Sequence, residues 1–408
     1  MSKRKIINDP VYGLISFPDD LIYDIIGHKY FQRLRRISQM GLSTYVYPGA
    51  THSRFSHALG ALHLMTVALD TLKSKGITIS DQEVTGVCLA ILLHDLGHGP
   101  FSHALEHIII DKTHESISLE LMEKLNVEFE GRLDIAIAIF SGNYPRKFLK
   151  QLVSSQLDMD RMDYLTRDSY FSGVAEGVIG YKRIISMLNV VNDELVIEEK
   201  GIFSIEKFLV ARHIMYWQVY LHKTSIAGEQ MLKSFVLRLK DLIEIDPDAV
   251  EESRLKRFYV DIKSKRINED NYLDEFITLD DIDIYSCLKT MILSQDSLLK
   301  IFSNSILNRN LFTVMLDKNP IKSDLVQSIR QKVKQRFNLK DEIIENLIIQ
   351  GQESSTAYDV IHEEIKVLDK SGSVKPISDY LDVLVNVRKI TKYYIIYPLK
   401  NGNFAAIS

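Results

Sequence analysis

Residues 94–103 read HDLGHGPFSH and follow an apolar run, VTGVCLAILL, at residues 84–93. Aliphatic side chains recur through that run at helical spacing, so it predicts a buried helix that delivers His94 and Asp95 at its end. Gly97, Gly99 and Pro100 then break the helix, and the two glycines are read as letting the backbone turn sharply. A neutral imidazole beside a carboxylate at a buried helix end suits one shared cation. Without a cation or a donor, that buried carboxylate would cost several kcal/mol.

Outward from this stretch, three others concentrate reactive side chains: HSRFSHALG at 52–60, THE at 113–115 and DMDRMDYLTRD at 158–168. Six of the twelve histidines fall from His52 to His103, more than isolated core or surface histidines account for. His57, from a preceding helix, and Asp160, from a later one, are expected to complete a ligand set with His94 and Asp95. Two imidazoles and two carboxylates form a mixed nitrogen and oxygen site for Mn, Fe, Zn or Mg, with positions left for water and a phosphate oxygen. That is a catalytic layout, since structural zinc sites are more often closed by cysteines.

The rest of the chain sets the frame. With 408 residues, of which 46% are hydrophobic and 25% charged, it is long enough for one large core and an appended lobe. Residues 5–17 read as two short strands around a turn at Asn8, Asp9 and Pro10, with Gly13 following. Helical periodicity covers 19–114 and continues over 115–126, 130–140, 145–171, 180–190 and 204–238. The fold class is therefore mainly α, with residues 1–240 as the helical core behind an N-terminal hairpin. Residues 241–408 read as an α+β C-terminal lobe for oligomerisation or regulation: short helices alternate with acidic loops over 247–302, and strands with a turn at Gly372 follow residue 358.

Cys88 and Cys287 are the only cysteines, and their distance in sequence suits buried free thiols in a reducing compartment, so the cytoplasm is expected. No apolar run reaches the length of a membrane span or a signal sequence. A net charge of −4 argues against sequence-independent binding of nucleic acid. The basic run RQKVKQR at 330–336 reads as a solvated helix face.

The sequence resembles the HD-domain deoxynucleoside triphosphate triphosphohydrolases, a family that includes bacterial dGTPases and a mammalian enzyme carrying SAM and HD domains. The resemblance runs through INDPVYG (7–13), FQRLRRISQMG (31–41), YPGATHSRFSHALG (47–60), LLHDLGHGPFSH (92–103), THE, DMDRMDYLTRDS (158–169) and RHIMYWQVYLHK (212–223). It thins beyond about residue 240, and no SAM domain is expected ahead of the HD core. It implies the metal ligands His57, His94, Asp95 and Asp160 already reached from the residues themselves.

It further implies that Arg54 and Arg161 contact phosphates, Arg161 standing where a mammalian member has lysine. Gln39, with Met40 beside it, and Asp168 would recognise the sugar 3′-hydroxyl, and Tyr164 would pack on the sugar 2′ carbon and exclude ribonucleotides. Spacing adds support: Asp160, Tyr164 and Arg167 or Asp168 share one helix face, as do Arg212, Tyr216 and Tyr220. The competing reading is an aromatic stripe packed in the core; Arg212 in the same row favours a phosphate-facing wall.

The implied reaction is attack of water on the α-phosphorus with departure of the 5′-oxygen. His103 is the chosen proton donor, because Glu106, three residues on, could hold its imidazolium. His98 and His114 would fill the phosphate site or complete a second metal site. A different HD enzyme, a phosphodiesterase or guanosine tetraphosphate hydrolase, would share the metal centre, but the GYP signature of the signalling phosphodiesterases is absent. A non-enzymatic nucleotide sensor would be expected to lack a ligand or the acid, and all are present.

Partners implied are deoxynucleoside triphosphates and further copies of the chain, as a dimer-based tetramer or hexamer. A regulatory nucleotide site in a mammalian member draws on an acidic residue, a glutamine and an arginine. Gln32 and Arg35 match the latter two within IIGHKYFQRLR (25–35), whereas Gly27 stands at the acidic position, so guanine-specific activation is expected to be lost.

Overall fold

A computed structural model describes residues 5–337, 339–355, 364–380 and 390–398. The N-terminal strands β1 (Ile6–Asp9) and β2 (Gly13–Ser16) pair antiparallel as anticipated. Asp9 closes their turn by accepting the backbone N–H groups of Val11 and Tyr12 at 2.9 and 3.0 Å, and Gly13 takes a left-handed φ of 76°.

At the centre the helix Arg54–Ser74 packs against Asp81–Leu93 and Met159–Ser172. Asp81–Leu93 starts at a reciprocal cap between Ser80 and Glu83 and is buried from Gly86 to its last residue. With protein on every side it needs no polar face, which is why its sequence is apolar all round. Its C-terminal end therefore emerges deep in the molecule, and His94 and Asp95 with it.

Three helical expectations are corrected, each by a local stop signal. The segment 145–171 is two helices, Lys147–Val153 and Met159–Ser172. Between them Asp158 accepts from the N–H groups of Ser155 and Arg161, both at 2.7 Å, ending one helix and capping the next. Over 180–190 a short helix, Tyr181–Ser186, gives way to β3 (Leu188–Val191), which pairs with β4 (Glu194–Glu198). Asn192 and Asp193 form that hairpin's tip with φ of 50° and 63°, the left-handed pair that a two-residue turn requires. The span 204–238 divides into Ile202–Met215, a π-helical turn Tyr216–Tyr220, and Lys223–Ile245, which His222 caps.

The C-terminal region carries the expected mixture. Helices Arg254–Lys263, Asp281–Met291 and Ser297–Leu307 precede a three-stranded antiparallel sheet of β5 (Thr313–Asp317), β6 (Ile349–Ser355) and β9 (Ile390–Tyr397), with β9 central. The Gly372 turn joins β7 (Lys366–Leu368) to β8 (Val374–Pro376). Residues 356–363, where the expected strand region begins, lie outside the described residues. β7 adds in parallel to β4, placing Val196 beside Lys366, and the helix Lys223–Ile245 runs through residue 240. One apolar cluster extends from Ile15 to Ile396. Cys88 and Cys287 are buried free thiols. Among the described residues no helix is long and apolar enough to cross a membrane.

Candidate metal centre

The first turn of Arg54–Ser74 carries His57, the end of Asp81–Leu93 carries His94 and Asp95, and the first turn of Met159–Ser172 carries Asp160. Each imidazole is fixed through its far nitrogen: His57 Nδ1 donates to Asp163 at 2.7 Å, and His94 Nδ1 donates to the carbonyl of Ile91 at 2.6 Å. The Nε2 lone pairs are thereby left free. Both Nε2 atoms are buried and make no hydrogen bond, and with an Asp160 oxygen they lie within 4.8 Å of one another. Asp95 adjoins them, its oxygens 3.6 Å from His57 Nε2 and 3.3 Å from His94 Nε2.

Such a set fits a divalent cation: imidazoles whose Nδ1 atoms are tied by partners behind them, gathered with carboxylates in a buried place. The electrostatics agree. Burial alone would lower the His57 pKa, yet the carboxylates of Asp160 and Asp163 raise it to about 10. Asp160 is depressed against its burial by His57 and His94, and Asp95 likewise by His94, Arg54 and His98. The cluster thus attracts positive charge, and a metal ion is the form of it that uses two bare nitrogen lone pairs.

The second ring of contacts explains two glycines. A Cβ on Gly60 would sit 2.0 Å from Asp163 Oδ1 and 2.1 Å from Arg167 Nη2, so the helix Arg54–Ser74 must be bare there for Asp163 to reach His57. A Cβ on Gly97 would lie 2.3 Å from the carbonyl of His114. Gly97 is therefore required by the close approach of the helix His114–Glu128, and not by a sharp turn. The left-handed residues of this loop are Phe101 and Ser102, with φ of 55° and 50°.

Beside the metal ligands, His98 stacks on His114 with centroids 3.9 Å apart and meets His103 edge-on at 4.9 Å. Glu106 serves two of these rings, accepting from His114 Nδ1 at 2.6 Å and lying 3.1 Å from His103 Nδ1. Burial opposes its ionisation, but the two histidines hold its carboxyl well below the usual range. His98, enclosed and next to the Arg54 charge, is pushed well below the ordinary histidine value. His103 is the open member, its side chain 64% exposed.

Of the anticipated substrate residues, several converge. Tyr164 and Tyr220 rings lie 6.2 Å apart, and Tyr216 adjoins Tyr220 at 5.9 Å. Tyr220 donates to Asp168 at 2.6 Å. Gln39 lies next to His52, its backbone N–H bonded to the His52 carbonyl at 3.0 Å, and its side-chain Oε1 is buried without a partner. Arg161 donates to the Ser155 carbonyl and pairs with Asp158 at 3.2 Å, and Arg212 donates to Gln156 Oε1. Arg54 pairs with Asp95 at 2.6 Å and reaches Ser102, and Met40 packs into the core at 6% exposure.

Of the two alternatives on the Asp160 face, Arg167 binds Asp163 and Asp9 behind His57, while Asp168 faces Tyr220. Sequence reasoning assigned no role to His52, which donates through Nε2 to Asp168 at 2.7 Å and stacks on Phe171. Its only signal was its place in HSRFSHALG. Gln32 and Arg35 lie apart, on the surface: Arg35 donates to Gln32 Oε1 and covers the Phe55 ring at 3.6 Å.

Comparison with known proteins places this arrangement. The family described as HD domain matches residues 54–168, and that described as HD associated region matches 179–266. The crystal structure of a phosphohydrolase from Bacteroides thetaiotaomicron VPI-5482 aligns with a TM-score of 0.90 at 46% identity, over 97% of this chain and 100% of that one. The chain belongs to the HD-domain phosphohydrolases. YwfO of Bacillus subtilis strain 168 is 34% identical over 320 residues, 76% of this chain and 72% of its own length. Human deoxynucleoside triphosphate triphosphohydrolase SAMHD1 is 30% identical over 318 residues, 67% of this chain and 50% of its own, so the chain spans half of that relative. In this HD-domain phosphohydrolase, His57, His94 and Asp160 form one group whose atoms lie close enough to hold a metal ion, and among the described residues His98, His103 and His114 form another, as do Glu106, His114 and Glu115.

Proposed function

We propose that the chain hydrolyses deoxynucleoside triphosphates to deoxynucleoside and triphosphate. The observation that carries this reading is the polar wall beside the metal ligands. The orphaned Gln39 oxygen can accept from a sugar hydroxyl, and Asp168, held by His52 and Tyr220, presents a carboxylate beside Tyr164. A relative named as a deoxynucleoside triphosphate triphosphohydrolase supports the same substrate class.

When bound, the divalent ion supplies Lewis acidity at the α-phosphate. Arg212, which donates to the Gln156 amide oxygen, and Arg161, which pairs with Asp158 at 3.2 Å and donates to the Ser155 carbonyl, are the cations offered to the triphosphate, and bidentate contact would fix its orientation. Asp95, paired with Arg54, keeps its charge beside the ligand nitrogens. Water forms the new bond to the α-phosphorus as the bond to the 5′-oxygen breaks, and His103, backed by Glu106, gives that oxygen its proton. His98 and His114 line the phosphate side. Tyr164 closes on the sugar 2′ carbon and leaves a ribose hydroxyl no room.

Product analysis tests this directly. Metal-loaded protein incubated with each dNTP and NTP is expected to release triphosphate from the deoxy substrates and far less from the ribo forms. Pyrophosphate or orthophosphate as the sole product, or equal turnover of both sugars, would overturn it.

A further inference from the structure

The loop bearing His98 and His103 is braced from far along the chain. Asp281, at the start of the helix Asp281–Met291, is buried, and its two oxygens accept two backbone N–H groups: Phe101 on Oδ1 at 2.7 Å and Ser38 on Oδ2 at 2.8 Å. Phe101 opens the left-handed pair that turns the chain toward His103, and Ser38 precedes Gln39. Ser102, within the same pair, accepts from Arg54 at 3.0 Å and donates to the Ser38 carbonyl at 3.3 Å. Arg33 ties the same two regions a second time, donating to the carbonyls of Leu279 at 2.9 Å and His98 at 2.8 Å.

We propose that Asp281 is a positioning residue for hydrolysis, a two-pronged clamp that sets the His98–His103 loop against the Gln39 segment. Two non-glycine residues at positive φ relax unless the surroundings hold them. A carboxylate is the short side chain that offers acceptors on both prongs. Asparagine would turn one of them into an NH2 group facing an N–H. The effect on rate rests on the role given to His103 above; the clamp rests on the geometry alone.

The test compares wild type with Asp281→Asn, and with Asp281→Ala as the more severe variant, after thermal melts confirm that the proteins are folded. Hydrogen exchange is read on peptides covering residues 36–40 and 97–105. Modification of His98 by diethyl pyrocarbonate is followed in parallel, and bound metal is counted. Exchange of the Ser38 and Phe101 amides is expected to quicken in Asp281→Asn, and His98, enclosed in wild type, to become reactive, with metal content unchanged.

With a dNTP, kcat is expected to fall roughly 10- to 100-fold, the scale of a misplacement of about 1 Å, with KM little altered. In a His103→Ala background the same substitution should cost almost nothing more, because its target is already gone. Unchanged exchange and unchanged His98 reactivity overturn the clamp, and an equal loss of kcat in both backgrounds overturns its action through His103. If wild type cleaves no dNTP, the substrate proposal fails, and exchange with His98 reactivity alone decides the clamp. Should Asp281→Asn fail to fold, Arg33→Lys, which weakens the parallel tie, is expected to free His98 in the same way, and its failure to do so counts against the brace.

Discussion

His57 is held from behind by charged side chains that lead back to the first turn of the protein. Its Nδ1 proton goes to Asp163, Arg167 grips Asp163 at 3.0 Å, and Arg167 reaches Asp9 at 2.8 Å. All four side chains are buried, so water cannot stand in for a lost partner. Asp163→Asn would set an amide against both His57 and the guanidinium and leave the imidazole without a fixed tautomer. Metal affinity is expected to drop about 10- to 100-fold, measured by chelator competition, while Asp9→Asn has a smaller effect because Arg167 keeps Asp163. An unchanged affinity in Asp163→Asn would show that His57 needs no such support. At the surface, Gly27 offers no side chain, Gln32 is spent on the Ile26 carbonyl and on Arg35, and Arg35 lies over Phe55. A guanine edge left unanswered in a buried site costs about 1–3 kcal/mol. Rates with dNTP mixtures are therefore expected to be insensitive to GTP, and strong activation at micromolar GTP that disappears in Arg35→Ala would refute this.

Between elements, the helix Lys223–Ile245 and strand β6 bring two carboxyl groups together. Burial, and then the neighbouring Glu353, push Glu229 from the ordinary 4.5 up to about 8. A group raised on folding contributes stability that is complete below its unfolded pKa and is lost as pH climbs through its folded one. Wild type should accordingly weaken between about pH 5 and 8 relative to Glu229→Gln, with the Tm gap widening by at least roughly 2 °C and levelling off above that range. A gap that does not vary with pH would mean that Glu229 is ionised in the folded protein. Legibility followed the same division between near and far in sequence. His57, His94, Asp95 and Asp160 were readable because each sits at a helix end beside breakers and caps. The start of β3 was misread as helix although Asn192 and Asp193 marked a turn just beyond it, since Ile184, Ile185 and Leu188 carry on a helical repeat. His52 with Asp168, and Arg167 with Asp9, left no local trace: a buried polar pair is defined by a partner that folding brings in, and either residue alone is ordinary.

Taken whole, the molecule is tied together across very long stretches of chain. β7 and β8 complete a sheet begun by β3 and β4, and Asp281 bonds to Ser38 across 243 residues and to Phe101 across 180. Contacts so distant in sequence form late, because loop closure precedes any gain from them. Synthesis adds an ordering of its own. The candidate metal ligands are all made by residue 160, whereas Asp281 follows on the order of 10 s later at ordinary rates of translation. During that interval the ligands exist without their brace. Chains stalled on the ribosome before Asp281 has emerged are expected to show no hydrolysis, although every metal ligand has been made, and turnover by a chain arrested near residue 260 would contradict that order. A growing chain would thus acquire its chemistry at the close of its own synthesis, with the nucleotide pool untouched by unfinished copies.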